Sequence, residues 1–207
     1  MIKKIFKFIL YIICLPFCSF KSLDFKRKLK SYVSFKSVKR KFKQIGNNCN
    51  VQYPFTIAGY KNISIGNNFN CGSNLRLETW DISIEKKPNF CIGDNVKIMD
   101  YCQFSCSNEI VIGNNVLIGA NVFISDNSHG DLNNVDLEIA PSEREIYSKG
   151  SIIIGNNVWI GRNAVILSNV KIGNNAIIGA NSVVTKDIPA NEVWAGAPAK
   201  FIKKLID

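Results

Sequence analysis

One histidine, His129, is all the imidazole that this 207-residue chain contains. A zinc site built from two or three imidazoles of a single subunit is thereby excluded, and an imidazole base can have only one identity. The seven cysteines (Cys14, Cys18, Cys49, Cys71, Cys91, Cys102, Cys106) are odd in number and form no Cys-x-x-Cys pair. Such usage fits a thiol-reducing compartment, with buried thiols in place of metal ligands or a disulfide framework. Cys102 and Cys106, four apart, would share one face of a strand. Long apolar runs are missing too. The stretch from Ile5 to Phe20 holds Lys7 and Pro16 and is followed by Lys21, and it falls short of the ~20 residues a spanning helix needs. Lys3 and Lys4 precede it as in a signal peptide, but no small-x-small cleavage site follows, so export is not expected.

What is present supports a packed core, since 46% of residues are hydrophobic and 20% charged. The net charge of +10 is unevenly spread. Residues 1–44 carry 13 Lys/Arg and only Asp24, a net of +12, and the remaining residues carry 13 Lys/Arg and 15 Asp/Glu, a net of −2. If Ile2 to Cys18 is helical, Lys3, Lys4 and Lys7 share one side while Phe6, Ile9, Leu10, Ile13 and Phe17 line the other, as in a helix lying in a membrane interface. The following stretch interleaves cations with Phe25, Leu29, Tyr32, Phe35, Val38 and Phe42, which suits anionic lipid headgroups or a lipid diphosphate. The alternative is an amphipathic helix packed on its own domain with a solvated basic face. No nucleic-acid-binding motif accompanies the charge, and no nucleic-acid partner is expected.

From residue 45 the sequence repeats. Ile-Gly-Asn-Asn begins at Ile45, Ile65, Ile112, Ile154 and Ile172, and Ile-Gly-Asp-Asn at Ile92. Ile154, Ile160, Ile166, Ile172, Ile178 and Val184 fall six apart, and the fifth place of each unit holds Val158, Ala164, Val170, Ala176 or Ser182. A period of six predicts a parallel β-helix. Each hexapeptide makes a short strand and a corner, its aliphatic residue pointing inward beside the small fifth residue. Glycine and asparagine tolerate the unusual corner backbone. Three units close a triangular coil, and roughly six or seven coils stack at the ~4.8 Å spacing of paired strands. The register slips at Ile63 to Ile65 and at Ile110 to Ile112, which predicts small bulges at corners. Asp126 to Gly150 has no register and should be a loop leaving the prism. Loops on rigid scaffolds commonly carry function, and this one opens with the only histidine.

The segment from Ile154 to Lys200, in which the repeat, TKDIP and AGAPAK follow in order, together with SDNSHG from Ser125 to Gly130, resembles the hexapeptide-repeat acyltransferases, in the branch of sugar and polysaccharide O-acetyltransferases. The resemblance implies an all-β, left-handed parallel β-helix over 45–186 with one protruding loop, 126–150. A basic amphipathic helical arm, 1–44, would precede it, and a tail with a short helix, 187–207, would follow. It also implies a homotrimer with its active sites between subunits, and acetyl-CoA as donor, with no metal.

On the matching positions, the resemblance makes His129 the base that takes the proton of a sugar hydroxyl. Gly161, Arg162 and Ala180 would contact the pantetheine, with Thr185 and Lys186 further along, and Lys200 and Lys203 would approach the nucleotide phosphates. Arg162 stands where relatives often carry a small hydroxyl residue. A main-chain amide near Gly161 or Arg162 would hold the developing oxyanion. Trp159 would stack on the coenzyme or pack at the trimer interface. Acceptor candidates are Asp100, Tyr101, Asn127 and the Glu143-Arg144-Glu145 cluster. Asp126 would orient His129, form a turn or contact the acceptor. The expected function is acetyl-CoA-dependent O-acetylation of a sugar in a cell-surface glycan or its lipid-linked precursor, in the cytoplasm and at the inner face of the membrane. The alternatives are an amino-sugar N-acetyltransferase and a non-catalytic trimeric β-helix scaffold.

Overall fold

The computed structural model describes residues 20–82, 87–131, 133–134 and 136–205. The expected helix over Ile2 to Cys18, and Cys14 and Cys18 with it, lie outside these residues. Helix α1 (Phe20–Val38) leads into a three-sided prism of parallel strands. The first face carries Gln44–Ile45, Ile63–Ile65, Asn89–Ile92, Glu109–Ile112, Ile152–Ile154 and Val170–Ile172. The second carries Asn50–Val51, Asn70–Cys71, Lys97–Ile98, Leu117–Ile118, Trp159–Ile160, Ile177–Ile178 and Glu192–Ala195. The third carries Phe55–Ala58, Leu75–Thr79, Gln103–Cys106, Phe123–Ser125, Val165–Ile166 and Val183–Val184. The arrangement is a left-handed β-helix of six complete coils.

The repeat builds this shape by putting one aliphatic column on each inner face. Ile45, Ile65, Ile92, Ile112, Ile154 and Ile172 are register partners up the first face. Cys71, Ile98, Ile118, Ile160 and Ile178 do the same on the second. Nearly all of these are buried, and burying such a side chain stabilises by ~1.5–3 kcal/mol each. Val158, Ala164, Val170, Ala176 and Ser182, the fifth places, are buried beside them.

Two local expectations change. Ile63 and Ile65 are not parted by a corner bulge, nor are Ile110 and Ile112. Each pair lies within one strand whose side chains alternate, so both isoleucines point inward and the residue between them outward. The corners also divide their work differently. Where the first face turns into the second, asparagine takes the left-handed backbone at every level, with Asn48, Asn68, Asn95, Asn115, Asn157, Asn175 and Asn191 at φ between 55° and 63°. Their amides form a ladder, each Nδ2 donating to the next Oδ1, from Asn48 to Asn68 at 3.2 Å up to Asn175 to Asn191 at 2.7 Å. Glycine serves by its size. A Cβ on Gly113 would stand 2.7 Å from the carbonyl oxygen of Gly155 in the coil above.

The ends of the prism differ from the expected arm and tail. Phe35 of α1 is buried and meets Phe42 and Phe55 edge-on at 6.2 Å, and Ser31 Oγ accepts the Tyr53 amide at 2.9 Å. The second half of the arm thus closes the first coil, while Leu23, Phe25, Leu29, Tyr32 and Val33 stay exposed. At the other end the expected short helix is replaced by strands. Ile188 bridges Ile172, Glu192–Ala195 continues the second face past residue 186, and Lys200–Lys204 returns antiparallel to it. The reason is the open edge of the last coil, whose unpaired amides and carbonyls the tail satisfies after reversing at Gly196, φ 101°.

Candidate active site

The third face has two edges, and the predicted residues sort onto them. Where the second face turns into the third, Asp100–Tyr101, Gly119–Asn121, Gly161–Asn163 and Gly179–Asn181 stack coil on coil. The amides of Asn121, Asn163 and Asn181 donate to the carbonyls of Asp100, Ala120 and Arg162 at 2.9, 3.0 and 2.9 Å. Where the third face turns into the first lie Thr79–Asp81, Asp126–His129 and Thr185–Lys186. In the His129 coil the four residues 122–125, ~15 Å from corner to corner, separate the edges. His129 and the Gly161, Arg162 and Ala180 group therefore do not converge within one chain.

His129 leaves the prism on a short strand pair. Ser128–His129 runs antiparallel to Ile146–Tyr147, and Gly130 N donates to Glu145 O at 2.9 Å. These bonds hold the root of the loop and leave the imidazole exposed, with no hydrogen bond among the described residues. Asp126 is fully buried, and its carboxylate accepts the amides of Ser107, Asn108 and Glu109 at 2.8, 2.9 and 2.8 Å. It is thus a turn-forming residue that fixes where the loop departs, and neither an orienter of His129 nor an exposed acceptor contact. Burial and this neighbouring carboxylate push the Cys106 thiol far up.

Asn127 Nδ2 reaches Ser105 Oγ at 3.1 Å, and the same hydroxyl accepts the indole N–H of Trp80 at 3.2 Å. Trp80 is 44% exposed, and beside it on the third face the guanidinium of Arg76 meets Glu78 at 2.8 Å. An exposed aromatic plane fixed next to hydrogen-bonding side chains is a surface on which a sugar ring can stack. On the opposite edge, Asp100 Oδ1 accepts Ser73 N at 2.7 Å and Ser73 Oγ at 2.9 Å, so it caps its corner. Tyr101 takes the left-handed backbone, φ 63°, at the corner place where Asn121, Asn163 and Asn181 stand in the coils above, and is 63% exposed. Glu143, Arg144 and Glu145 line a separate cleft inside the loop, of about 480 Å³.

Of the predicted donor residues, Gly161 is packed so closely that a Cβ would lie 2.5 Å from the Ala180 amide. Its N–H is spent on Ile178 O at 2.8 Å, which removes it as an oxyanion donor. The Arg162 N–H has no such partner among the described residues. Thr185 is exposed, and Lys186 Nζ lies 5.2 Å above the Trp194 ring. Lys200 and Lys203 are exposed on the final strand. Trp159, 51% exposed, stands between Leu117 and Ile177 in an outward apolar column on the second face.

Sequence reasoning missed Trp80, Ser105, Arg76 and Glu78. The coil from Ile65 to Ile92 is longer than its neighbours, so spacing could not tell which coil delivers Trp80 to the His129 edge. The alternation in Leu75-Arg76-Leu77-Glu78 was the available signal.

Residues 151–186 match the model of the bacterial transferase hexapeptide (six repeats), and 109–125 that of the hexapeptide repeat of succinyl-transferase. An Escherichia coli (strain K12) protein named as a lipopolysaccharide biosynthesis O-acetyl transferase, WbbJ, is 35% identical over 161 residues, 76% of this chain and 80% of its own. Among solved structures, a galactoside acetyltransferase in complex with coenzyme A is 35% identical, with a TM-score of 0.57 over 83% of this chain and 70% of its own. A hexapeptide-repeat-containing acetyltransferase of Vibrio cholerae complexed with acetyl coenzyme A is 25% identical, with a TM-score of 0.60 over 92% of each chain.

Proposed function

The chain belongs to the hexapeptide-repeat acyltransferases, in the branch of sugar O-acetyltransferases, and from that membership we propose that it carries acetyl from acetyl-CoA to a hydroxyl of a sugar in a cell-surface glycan or its lipid-linked precursor. The observation that carries the reading is the placing of His129. The only imidazole in the chain is exposed at the rooted base of the loop over 126–150, two residues after Asn127, whose amide shares the Ser105 hydroxyl with Trp80.

In this reading the acceptor ring lies on Trp80 and presents a hydroxyl to His129. The imidazole takes the hydroxyl proton as the oxygen attacks the thioester carbonyl, a contribution worth ~10² to 10⁴ in rate. The tetrahedral oxyanion is held by the Arg162 amide of a neighbouring copy. Collapse breaks the C–S bond, and the imidazolium returns the proton to the coenzyme A thiolate. The separation of the two edges in one chain supports a homotrimer whose sites lie between copies, Trp159 packing at the interface. Ala180, Thr185 and Lys186 line the donor groove, and Lys200 and Lys203 meet the coenzyme phosphates.

Among the described residues no helix is long and apolar enough to cross a membrane. The exposed apolar and basic surface of α1 supports contact with an anionic membrane surface at its cytoplasmic side. Labelled acetyl-CoA incubated with extracted glycan precursors tests the reaction. Wild type should label a sugar and His129→Ala should not, and the label should be lost in mild alkali as an ester. An alkali-stable label would mean an amide, and equal labelling by the two proteins would remove the proposed base.

A further inference from the structure

The edge that carries His129 holds a second cleft three coils lower. Arg40, Lys41, Tyr60, Lys61, Asp81 and Lys87 line a cavity of about 580 Å³. Four cations face one carboxylate. Asp81 is taken by Lys87 Nζ and Asn62 Nδ2, both at 3.0 Å, and Lys87 beside it holds its carboxyl below the usual range. Lys41 stands 5.7 Å above the Tyr60 ring, which packs edge-on against buried Phe42 at 4.9 Å. Arg40 and Lys61 have no ion pair among the described residues. Cations gathered in a concavity with an aromatic floor repel one another and focus a positive potential that an entering anion relieves.

Hydrogen bonds connect this cleft to the site. Asn62 Nδ2 reaches Thr79 Oγ1 at 3.2 Å as well as Asp81, Trp80 between them donates to Ser105, and Ser105 meets Asn127. Register partners Ala58, Glu78, Ser105 and Ser125 mark three rungs, about 14 Å at the strand spacing. A diphosphate carrying one or two hexose rings covers that span. Resting on the acetyltransferase reading above, we propose that this cleft binds the diphosphate of a glycosyl diphosphate acceptor, with its sugar extending over Trp80 to His129. The diphosphate is common to lipid-linked and nucleotide-linked sugars. Lys39–Lys41 follows directly on α1, so a lipid-carried diphosphate would enter beside the exposed apolar face of that helix.

The test uses the full chain. Inorganic pyrophosphate, titrated calorimetrically without divalent ions at physiological salt, should bind wild type. The double variant Arg40→Glu/Lys61→Glu should bind about ten-fold or more weakly, as expected when charge-assisted contacts are reversed, and Lys171→Glu, on the first face, should bind like wild type. In acetyl transfer, the double variant should raise KM for a sugar diphosphate about ten-fold with kcat nearly kept. Its kinetics on the same sugar without phosphate should match wild type, which also verifies folding. Comparing a polyprenyl-diphosphate sugar with a nucleoside-diphosphate sugar identifies the carrier by the larger kcat/KM. Absent pyrophosphate binding, equal weakening by Lys171→Glu, or an unmoved KM overturns the proposal while His129-dependent transfer stands. Pyrophosphate binding that needs Arg40 and Lys61 in a protein that acetylates no sugar would keep the anion site and refute the acetyltransferase reading.

Discussion

The indole N–H of Trp80 donates to Ser105 Oγ at 3.2 Å across one rung of the third face, and that bond fixes an exposed ring toward the root of the His129 loop. Two successive coils meet there, with the loop root one rung further on, which makes Trp80 the residue most worth substituting. Aromatic contacts contribute ~0.5–1.5 kcal/mol beyond area burial. Trp80→Ala is therefore expected to raise KM for the glycan acceptor roughly 3- to 10-fold, with KM for acetyl-CoA unchanged. Trp80→Phe, which keeps a ring and loses the anchor, should fall between. Initial-rate kinetics on both substrates check this, and equal KM values for wild type and Trp80→Ala would remove the stacking role.

Tyr101 offers the opposite kind of test. A left-handed backbone costs an ordinary residue ~1–2 kcal/mol, whereas asparagine accepts it and here could join the amides of Asn121 and Asn163, which are already bonded at 2.9 Å. Tyr101→Asn should raise Tm by roughly 2–4 °C, the shift about 1 kcal/mol produces in a chain of this size. If the exposed phenol touches the acceptor, the stabilised variant will turn over more slowly. A lower Tm would mean that the tyrosine side chain makes contacts worth more than the strain.

Most of the prism was legible because its physics is local. Ile154 to Val184 show the period directly, and Asn48 to Asn191 mark one corner at every level. What escaped is what depends on coil length. The extra residues between Ile65 and Ile92 hid the neighbourhood of Trp80. Arg40 and Lys41 read as part of a basic arm, with nothing to bring them beside Lys61 and Lys87. Asp126 lies three residues from His129 in the sequence, yet its carboxylate turns inward to the amides of Ser107, Asn108 and Glu109. Proximity along the chain carried no information about that direction.

That inward carboxylate makes a stability prediction. Asp126→Ala leaves three amides without their acceptor, and each unsatisfied buried donor costs ~1–3 kcal/mol. The variant should lose several degrees in Tm and acetyl transfer together, since the loop root is released. Asp126→Asn, which keeps one acceptor oxygen, should be milder in both. Thermal melts compared with kcat would decide, and an intact Tm for Asp126→Ala would contradict the turn-forming role.

Buried thiols give the chain an alkaline limit. Burial pushes the Cys102 thiol up to about 11, and Cys71 and Cys106 are raised as well. In the unfolded chain a thiol ionises near its ordinary value, about 8.5. The folded state keeps its protons longer, so the contribution of these thiols is whole below that pH and is lost as pH climbs toward the folded value. Tm should decline between about pH 9 and 11, and Cys102→Ala should flatten part of the decline. At pH 8, Cys71, Cys102 and Cys106 should resist a thiol reagent until the protein is denatured.

The outward column of Leu117, Trp159 and Ile177 bears on assembly. Such a strip in water is an unused hydrophobic surface, and His129 lies an edge away from Arg162 in the same chain, so covering the strip with another copy would also complete the site. If the proposed trimer forms, Trp159→Glu should shift the protein from trimer to monomer in sedimentation and abolish acetyl transfer, while each prism, stabilised by its own columns of isoleucine, stays folded. Mixing Trp159-intact His129→Ala chains with Trp159-intact Arg162→Pro chains, the latter lacking the proposed oxyanion amide, should restore part of the activity, because some interfaces then pair an intact His129 with an intact Arg162. Full activity in a monomeric Trp159→Glu protein would place the whole site within one chain.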